Sequence, residues 1–314
     1  MIADLDTLLT ALYVELTDRI IPSRGFTRSG PGKPPEVTDA ELVCLAVAQV
    51  LLRYDDERHW LRAAPRLIGH LFPRLLRQPE YNTRLKAAAP LMEAALRWRA
   101  GATPGTADLV RLMDATPVPC GQSVLPARRS DLAGWAGYGY CPSHSRWYWG
   151  AKLLLICTCD GTVTGFGLAN PKLFGERAAT RLMLEDQPAN RPAPGTAVVT
   201  DKGLAGADTE EFFTSPELRL TLIRPARKNE QAPRPFPNWL RQRVEAIIWT
   251  LNASVAHCAF FSSGVLEWSS LGGLYLDAQA AAASAADVHG GEFAALDLVQ
   301  NGLPGDAEGG GGLP

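Results

Sequence analysis

The sequence predicts a mixed α/β sheet flanked by helices and preceded by an all-helical N-terminal region. Three observations carry this. Apolar residues recur at helical spacing through the first hundred residues. A Gly/Pro-rich stretch at 101–106 then ends that pattern. After it the order becomes strand, hairpin, helix, strand, helix, strand, loop, helix, the alternation of a sheet covered by helices. The implied divisions are 1–103 (helical), 104–251 (α/β) and 252–314 (an Ala/Gly-rich tail).

Composition bounds the rest. Of 314 residues, 46% are hydrophobic and 20% charged, which excludes a mostly disordered or collagen-like chain. No apolar run approaches the ~18 residues of a membrane span. The acidic start Met1-Ile2-Ala3-Asp4 lacks the basic opening of a signal peptide, so a cytoplasmic protein is expected. Charge is unevenly spread. All 31 Lys and Arg, with 26 of the 33 acids, lie in residues 1–250; residues 251–314 hold seven acids and no base. Cys157 and Cys159 have the wrong spacing for a usual zinc knuckle, and free thiols are expected.

Along the chain, Leu5, Leu8, Leu9, Leu12, Leu16 and Ile20 mark a first helix. Residues 22–36 form a loop. Thr38-Asp39-Ala40-Glu41 has the form of a capping box opening a helix from Leu42 to Leu52. A helix from Asp56 to Ala63 should stop before Pro65, and one from Thr83 to Arg99 should kink at Pro90. Many arginines lie here, among them Arg58, Arg62 and Arg66, on solvated faces or on a surface that meets phosphates. Leu109–Asp114 reads as a short strand ending on an acid. Trp147–Thr158 and Thr162–Leu168 form a hairpin around Asp160-Gly161. Glu176–Asp186 is a helix, Thr196–Asp201 a second strand ending on an acid, Asp208–Phe213 a short helix and Leu220–Ile223 a strand. The proline-rich loop 225–237 precedes a helix from Trp239 to Leu251.

Strand ends on an α/β sheet are where rigid elements aim side chains into a site. Asp114 and Asp201 sit at two such ends, and Glu245 interrupts an otherwise apolar helical stretch. Three converging carboxylates need compensating cations, and one or two Mg²⁺ ions are the usual choice. Such an ion pair suits phosphodiester chemistry. Ordinary surface acids are the competing reading. The aromatic group Trp135, Tyr138, Tyr140, Trp147, Tyr148 and Trp149 is expected to pack in the core, with base stacking the alternative.

Four stretches resemble the DDE transposases of bacterial insertion sequences. They are Leu112-Met113-Asp114-Ala115-Thr116-Pro117, Ser143-His144-Ser145-Arg146-Trp147-Tyr148-Trp149-Gly150, Val198-Val199-Thr200-Asp201-Lys202-Gly203 and Arg241-Gln242-Arg243-Val244-Glu245. The acids are 87 and then 44 residues apart. The resemblance covers about residues 5–251. It implies a ribonuclease-H-like catalytic core, with Asp114, Asp201 and Glu245 as the metal-binding catalytic triad for Mg²⁺ or Mn²⁺, two ions in all. It implies phosphate contacts from Lys202, Arg241 and Arg243, and also from Arg128, Arg129 and Lys152. It further implies a DNA-binding role for residues 1–103, double-stranded element ends and target DNA as partners, and a homodimer assembled on DNA. The resemblance stops near Leu251, where a basic helical continuation would be expected. A frameshifted or degenerated C-terminus accounts for this, and residues 252–314 are then expected to be poorly ordered. Two alternatives stand beside an active transposase: a non-catalytic DNA-binding remnant, and a metal-dependent nuclease on the same fold.

Overall fold

A computed structural model describes residues 4–26, 34–54, 56–121, 128, 132–133, 135–141, 145–227, 230, 236, 239, 242 and 246. Expectations for Arg129, Arg241, Arg243, Glu245 and the 252–314 tail fall outside the described residues. Among those described, no helix is long and apolar enough to cross a membrane.

The chain begins with six helices: α1 (Leu5–Glu15), α2 (Ile21–Arg24), α3 (Asp39–Leu51), α4 (Glu57–Leu67), α5 (Gln78–Ala87) and α6 (Ala89–Ala102). A π turn at Leu16–Ile20 joins α1 to α2. The capping box forms as its sequence requires. Glu41 N donates to Thr38 Oγ1 at 3.1 Å, and Thr38 N donates to Glu41 Oε2 at 2.6 Å. Ten consecutive-turn residues of α3 are buried, so it is the axis around which the others pack. Trp60, Ile68, Tyr81 and Met92 fill the space against it. Two helix boundaries differ from expectation. Helix α4 runs through Pro65 to Leu67, and the stretch read as one kinked helix is two, with Pro90 in the first turn of α6. Proline is tolerated there because the first-turn amides have no intrahelical acceptor.

The sheet contains β1 (Val110–Gly121), β2 (Gly137–Cys141), β3 (Arg146–Cys157), β4 (Val163–Ala169), β5 (Ala197–Val199) and β6 (Thr221–Ile223). Strand β3 is antiparallel to β1 on one side and to β2 and β4 on the other; β5 and β6 continue the sheet parallel to β1. Helices α7 (Glu176–Asp186) and α8 (Ala207–Thr214) provide the crossovers. This is the mixed sheet flanked by helices that the sequence predicts.

Strand β1 corrects the sequence reading. It does not end at Asp114 but runs seven residues further, to Gly121. Pro117 and Pro119 do not stop it, because β5 pairs only with Val110–Leu112. Among the described residues, β1 beyond Leu112 pairs only with β3, and an edge strand can hold prolines whose missing N–H would face outward. Alternation along the strands assigns the two faces. Met113, Leu154 and Ile156 pack with Met183, Leu184 and Phe213 of α7 and α8. Leu153, Leu155 and Cys157 pack with Val50 of α3 and Leu96 of α6. Arg97 of α6 strengthens the second contact. It donates to Ala189 O and Asn190 Oδ1, and its guanidinium lies 5.6 Å from the Phe166 ring centre.

Candidate active site

The parallel pairing of β1 with β5 brings two predicted acids together. Its register sets Leu112 beside Val199. Two residues further along each chain stand Asp114, within β1, and Asp201, beyond the end of β5, near enough that the charge of Asp201 is felt at Asp114. Asp201 lies just past β5, exposed, and caps the short helical turn Lys202–Leu204; Gly203 N donates to its Oδ1 at 2.6 Å. Asp114 is partly buried within β1, opposite Leu155, and its Oδ1 accepts from Ala115 N at 2.8 Å.

A third carboxylate joins them that sequence reasoning missed. Glu176 is the first residue of α7. A Cβ placed on Gly203 would lie 2.6 Å from Glu176 Oε2 and 2.8 Å from Asp201 Oδ1, so these two oxygens are within 5.4 Å of each other. An acid in the first turn of a helix is favoured there by the helix dipole, which disguises it in a sequence as an ordinary helix start.

The electrostatics follow from crowding. Burial, with the charge of Asp201 adding to it, pushes the Asp114 carboxyl up to about 6; the Ala115 amide offsets part of this. Burial, then the charges of Asp201 and Asp114, push Glu176 up to about 7, while Lys152 of β3 pulls it back. Two partly desolvated carboxyls beside a third are an all-oxygen set short of positive charge, which is the chemistry that suits a hard divalent cation. Among the described residues, however, no three His, Cys, Asp or Glu side chains are grouped so that they could hold a metal ion.

The predicted cations divide. Lys152 stands on β3 within electrostatic reach of Glu176. Lys202 follows Asp201 and is exposed, as is Arg128. Arg129, Arg241, Arg243 and Glu245 lie outside the described residues; Trp239, Gln242 and Ala246 around them are helical. One tether reaches the site from beyond β6. Arg227 donates to Ala205 O at 2.7 Å, and Arg224 is held between Glu210 and Glu230.

The aromatic group is not one core cluster. Tyr148 and Trp149 are buried and Trp135 half-buried, but Tyr138, Tyr140 and Trp147 are exposed.

No protein-family profile matches the sequence, and no curated protein is similar to it. Among the solved structures that are distantly similar are the following. A piggyBac transposase synaptic complex with hairpin DNA shares 10% identity, covering 95% of this chain and 84% of that one, at a TM-score of 0.43. A Mos1 strand transfer complex shares 13%, covering 87% and 85%, at 0.30. A pre-cleavage Mos1 transpososome shares 12%, covering 93% and 100%, at 0.24. Likenesses this distant do not bear on function, which has to be argued from the chain's own residues.

Proposed function

We propose that this chain is a DDE-type DNA transposase of a bacterial insertion sequence, cutting and joining DNA strands by metal-dependent phosphoryl transfer. The observation that supports the reading is the register of β1 on β5, whose last pair, Leu112 with Val199, stands two residues before Asp114 and Asp201. Separated by 87 residues, they meet only because both strands run the same way and pair at Leu112 and Val199.

Asp114 and Asp201 would hold one or two Mg²⁺ or Mn²⁺ ions, with Glu245 as the third ligand that the sequence motif supplies. Bound there, the ions lower the cost of generating an attacking oxygen and of releasing a leaving oxygen. The residues' own part is positional. Gly203 N fixes the Asp201 carboxylate, and Ala115 N fixes that of Asp114. Lys152 and Lys202 carry positive charge beside the acids, where a phosphate must approach. Element-end and target DNA are the substrates, and assembly on two ends calls for two copies of the chain.

The test is a strand-transfer assay with Mg²⁺ on duplexes taken from the inverted repeats flanking the gene. Joined products that vanish in Asp201→Ala support the reading. Binding without cleavage identifies a non-catalytic remnant, a reading favoured by the base-free tail after Leu251. Cleavage without joining identifies a nuclease.

A further inference from the structure

Asp114 and Asp201 are held in place by different means. Asp114 lies inside a strand of 12 residues, with residues paired to β3 on both sides of it. Strand β5 ends at Val199, two residues short of Asp201, which instead caps a helical turn of 3 residues. So short a turn has little stability of its own. Yet a carboxylate that serves a reaction must stay within about 0.5 Å of its working position.

The segment after β6 supplies the hold. Just upstream of Asp201, Thr200 N donates to Ile223 O at 3.0 Å. Downstream, Arg227 Nη2 donates to Ala205 O at 2.7 Å. Ala205 is 1% exposed and closes the turn, its N donating to Lys202 O at 3.2 Å. A buried carbonyl needs a donor, and Arg227 provides one from the adjoining segment. Residues 223–227 thus grip the chain on both sides of Asp201, as a splint would.

The splint is itself fastened. Arg224, its side chain 10% exposed, pairs with two carboxylates at once, Glu210 of α8 and Glu230. Glu230 Oε2 also accepts from Arg227 N at 3.0 Å, and Glu230 N donates to Arg227 O at 3.0 Å. The Arg224 bond, then the Arg227 amide, hold the Glu230 carboxyl down to about 2, so it is ionised at neutral pH. Ion pairs this near the surface add little to overall stability. Their effect here is local: Glu230 bonds both arginines and so sets Arg227 against Ala205.

We infer that Arg227 is a positioning residue for Asp201, locked in that role by Arg224 and Glu230. The inference rests on the metal-dependent DNA reading, in which Asp201 takes part. It adds a residue that acts on the carboxylate through the Lys202–Leu204 turn. Loss of the Arg227 guanidinium takes its bond from Ala205 O and lets the turn shift, carrying Asp201 off its place.

The experiment compares the full chain with two variants. Arg227→Met keeps the aliphatic stem and removes the donor; Arg227→Lys restores one. Hydrogen exchange in EDTA reads the turn without metal or DNA. The Gly203 and Ala205 amides should exchange about tenfold faster in Arg227→Met, with those of β1 and β3 unchanged. Mg²⁺-dependent cleavage of a duplex from the flanking inverted repeats should lose about ten- to a hundredfold in kcat, with KM changed less than about twofold. Arg227→Lys should recover most of both. Unchanged exchange at Gly203 and Ala205, or unchanged cleavage, refutes the inference. Faster exchange in β1 and β3 as well identifies general loosening and also refutes it, as does a failure of Arg227→Lys to recover either readout. Cleavage that is lost in Asp201→Ala but kept in Arg227→Met removes this inference alone. If the wild-type chain cleaves no DNA, the inference falls with the reading beneath it.

Discussion

Replacing Asp114 with Asn should stabilise the metal-free protein, and increasingly so as pH rises. The wild-type carboxyl titrates at about 6 in the folded chain against a usual 3.8, chiefly because it is buried. A carboxyl raised in the folded state favours folding fully below its unfolded value and loses that contribution as pH rises through its folded one. The two-unit difference amounts to a burden of ~1.5 kcal/mol at pH 5 and ~3 kcal/mol at pH 8. Asn keeps an Oδ1 that can accept from Ala115 N, so the local hydrogen bond survives. Urea denaturation in EDTA at the two pH values should show Asp114→Asn more stable than wild type, with the gain about doubling from pH 5 to pH 8. Mg²⁺ should reverse the order at pH 8 by stabilising only the wild type. A variant less stable than wild type at pH 8 in EDTA, or a difference that does not change with pH, would refute the argument that Asp114 is held at an electrostatic cost.

Three further perturbations probe other parts of the molecule. Gly203→Ala puts a methyl between Glu176 Oε2 and Asp201 Oδ1, so stability should change by less than about 1 kcal/mol while Mg²⁺-dependent cleavage falls about a hundredfold; unchanged cleavage would show that these oxygens need not stay where they are. Arg224→Ala frees Glu210 and Glu230 and loosens the segment that ties Arg227 to Ala205, so limited trypsin treatment should cut after Arg227 faster than in wild type. Arg58, Arg62 and Arg66 lie exposed at four-residue spacing on α4. Their joint replacement by Gln should weaken duplex binding and lower the slope of log affinity against log salt by about 2–3 units, if each neutralises one phosphate; an unaltered slope would mean that α4 does not contact the backbone.

How far the sequence discloses this molecule varies by element. Capping chemistry is local, so Thr38 and Glu41 announced α3 correctly. The hairpin of β3 and β4 was visible in its Asp160-Gly161 turn, and the strand before Asp201 in its β-branched run. What escaped reading was set by partners distant in sequence. The first strand was read as ending at Asp114, but it continues through Pro117 and Pro119, which are harmless where β5 has already run out. Gly137–Cys141 received no element from the sequence; its pairing with β3 and the close packing of its glycines against Tyr148 and Asn170 make it a strand. The aromatic group, expected to be buried, divides at Trp149 because cover from α3 and α6 reaches only that far. Glu176 was hidden because a helix start is an ordinary place for an acid; its neighbours Asp201 and Gly203 follow 25 or more residues later.

The brevity of β5 has a final consequence. Three residue pairs, Val110 with Ala197, Arg111 with Val198 and Leu112 with Val199, are all that set one aspartate beside the other. Side chains alternate across a sheet, so sliding β5 by a single position would carry Asp201 to the opposite surface and separate the two carboxylates by the thickness of the sheet. The chemistry proposed for this chain thus hangs on an alignment about 10 Å long, and substitutions at Val198 or Val199 that leave the protein folded can still silence it.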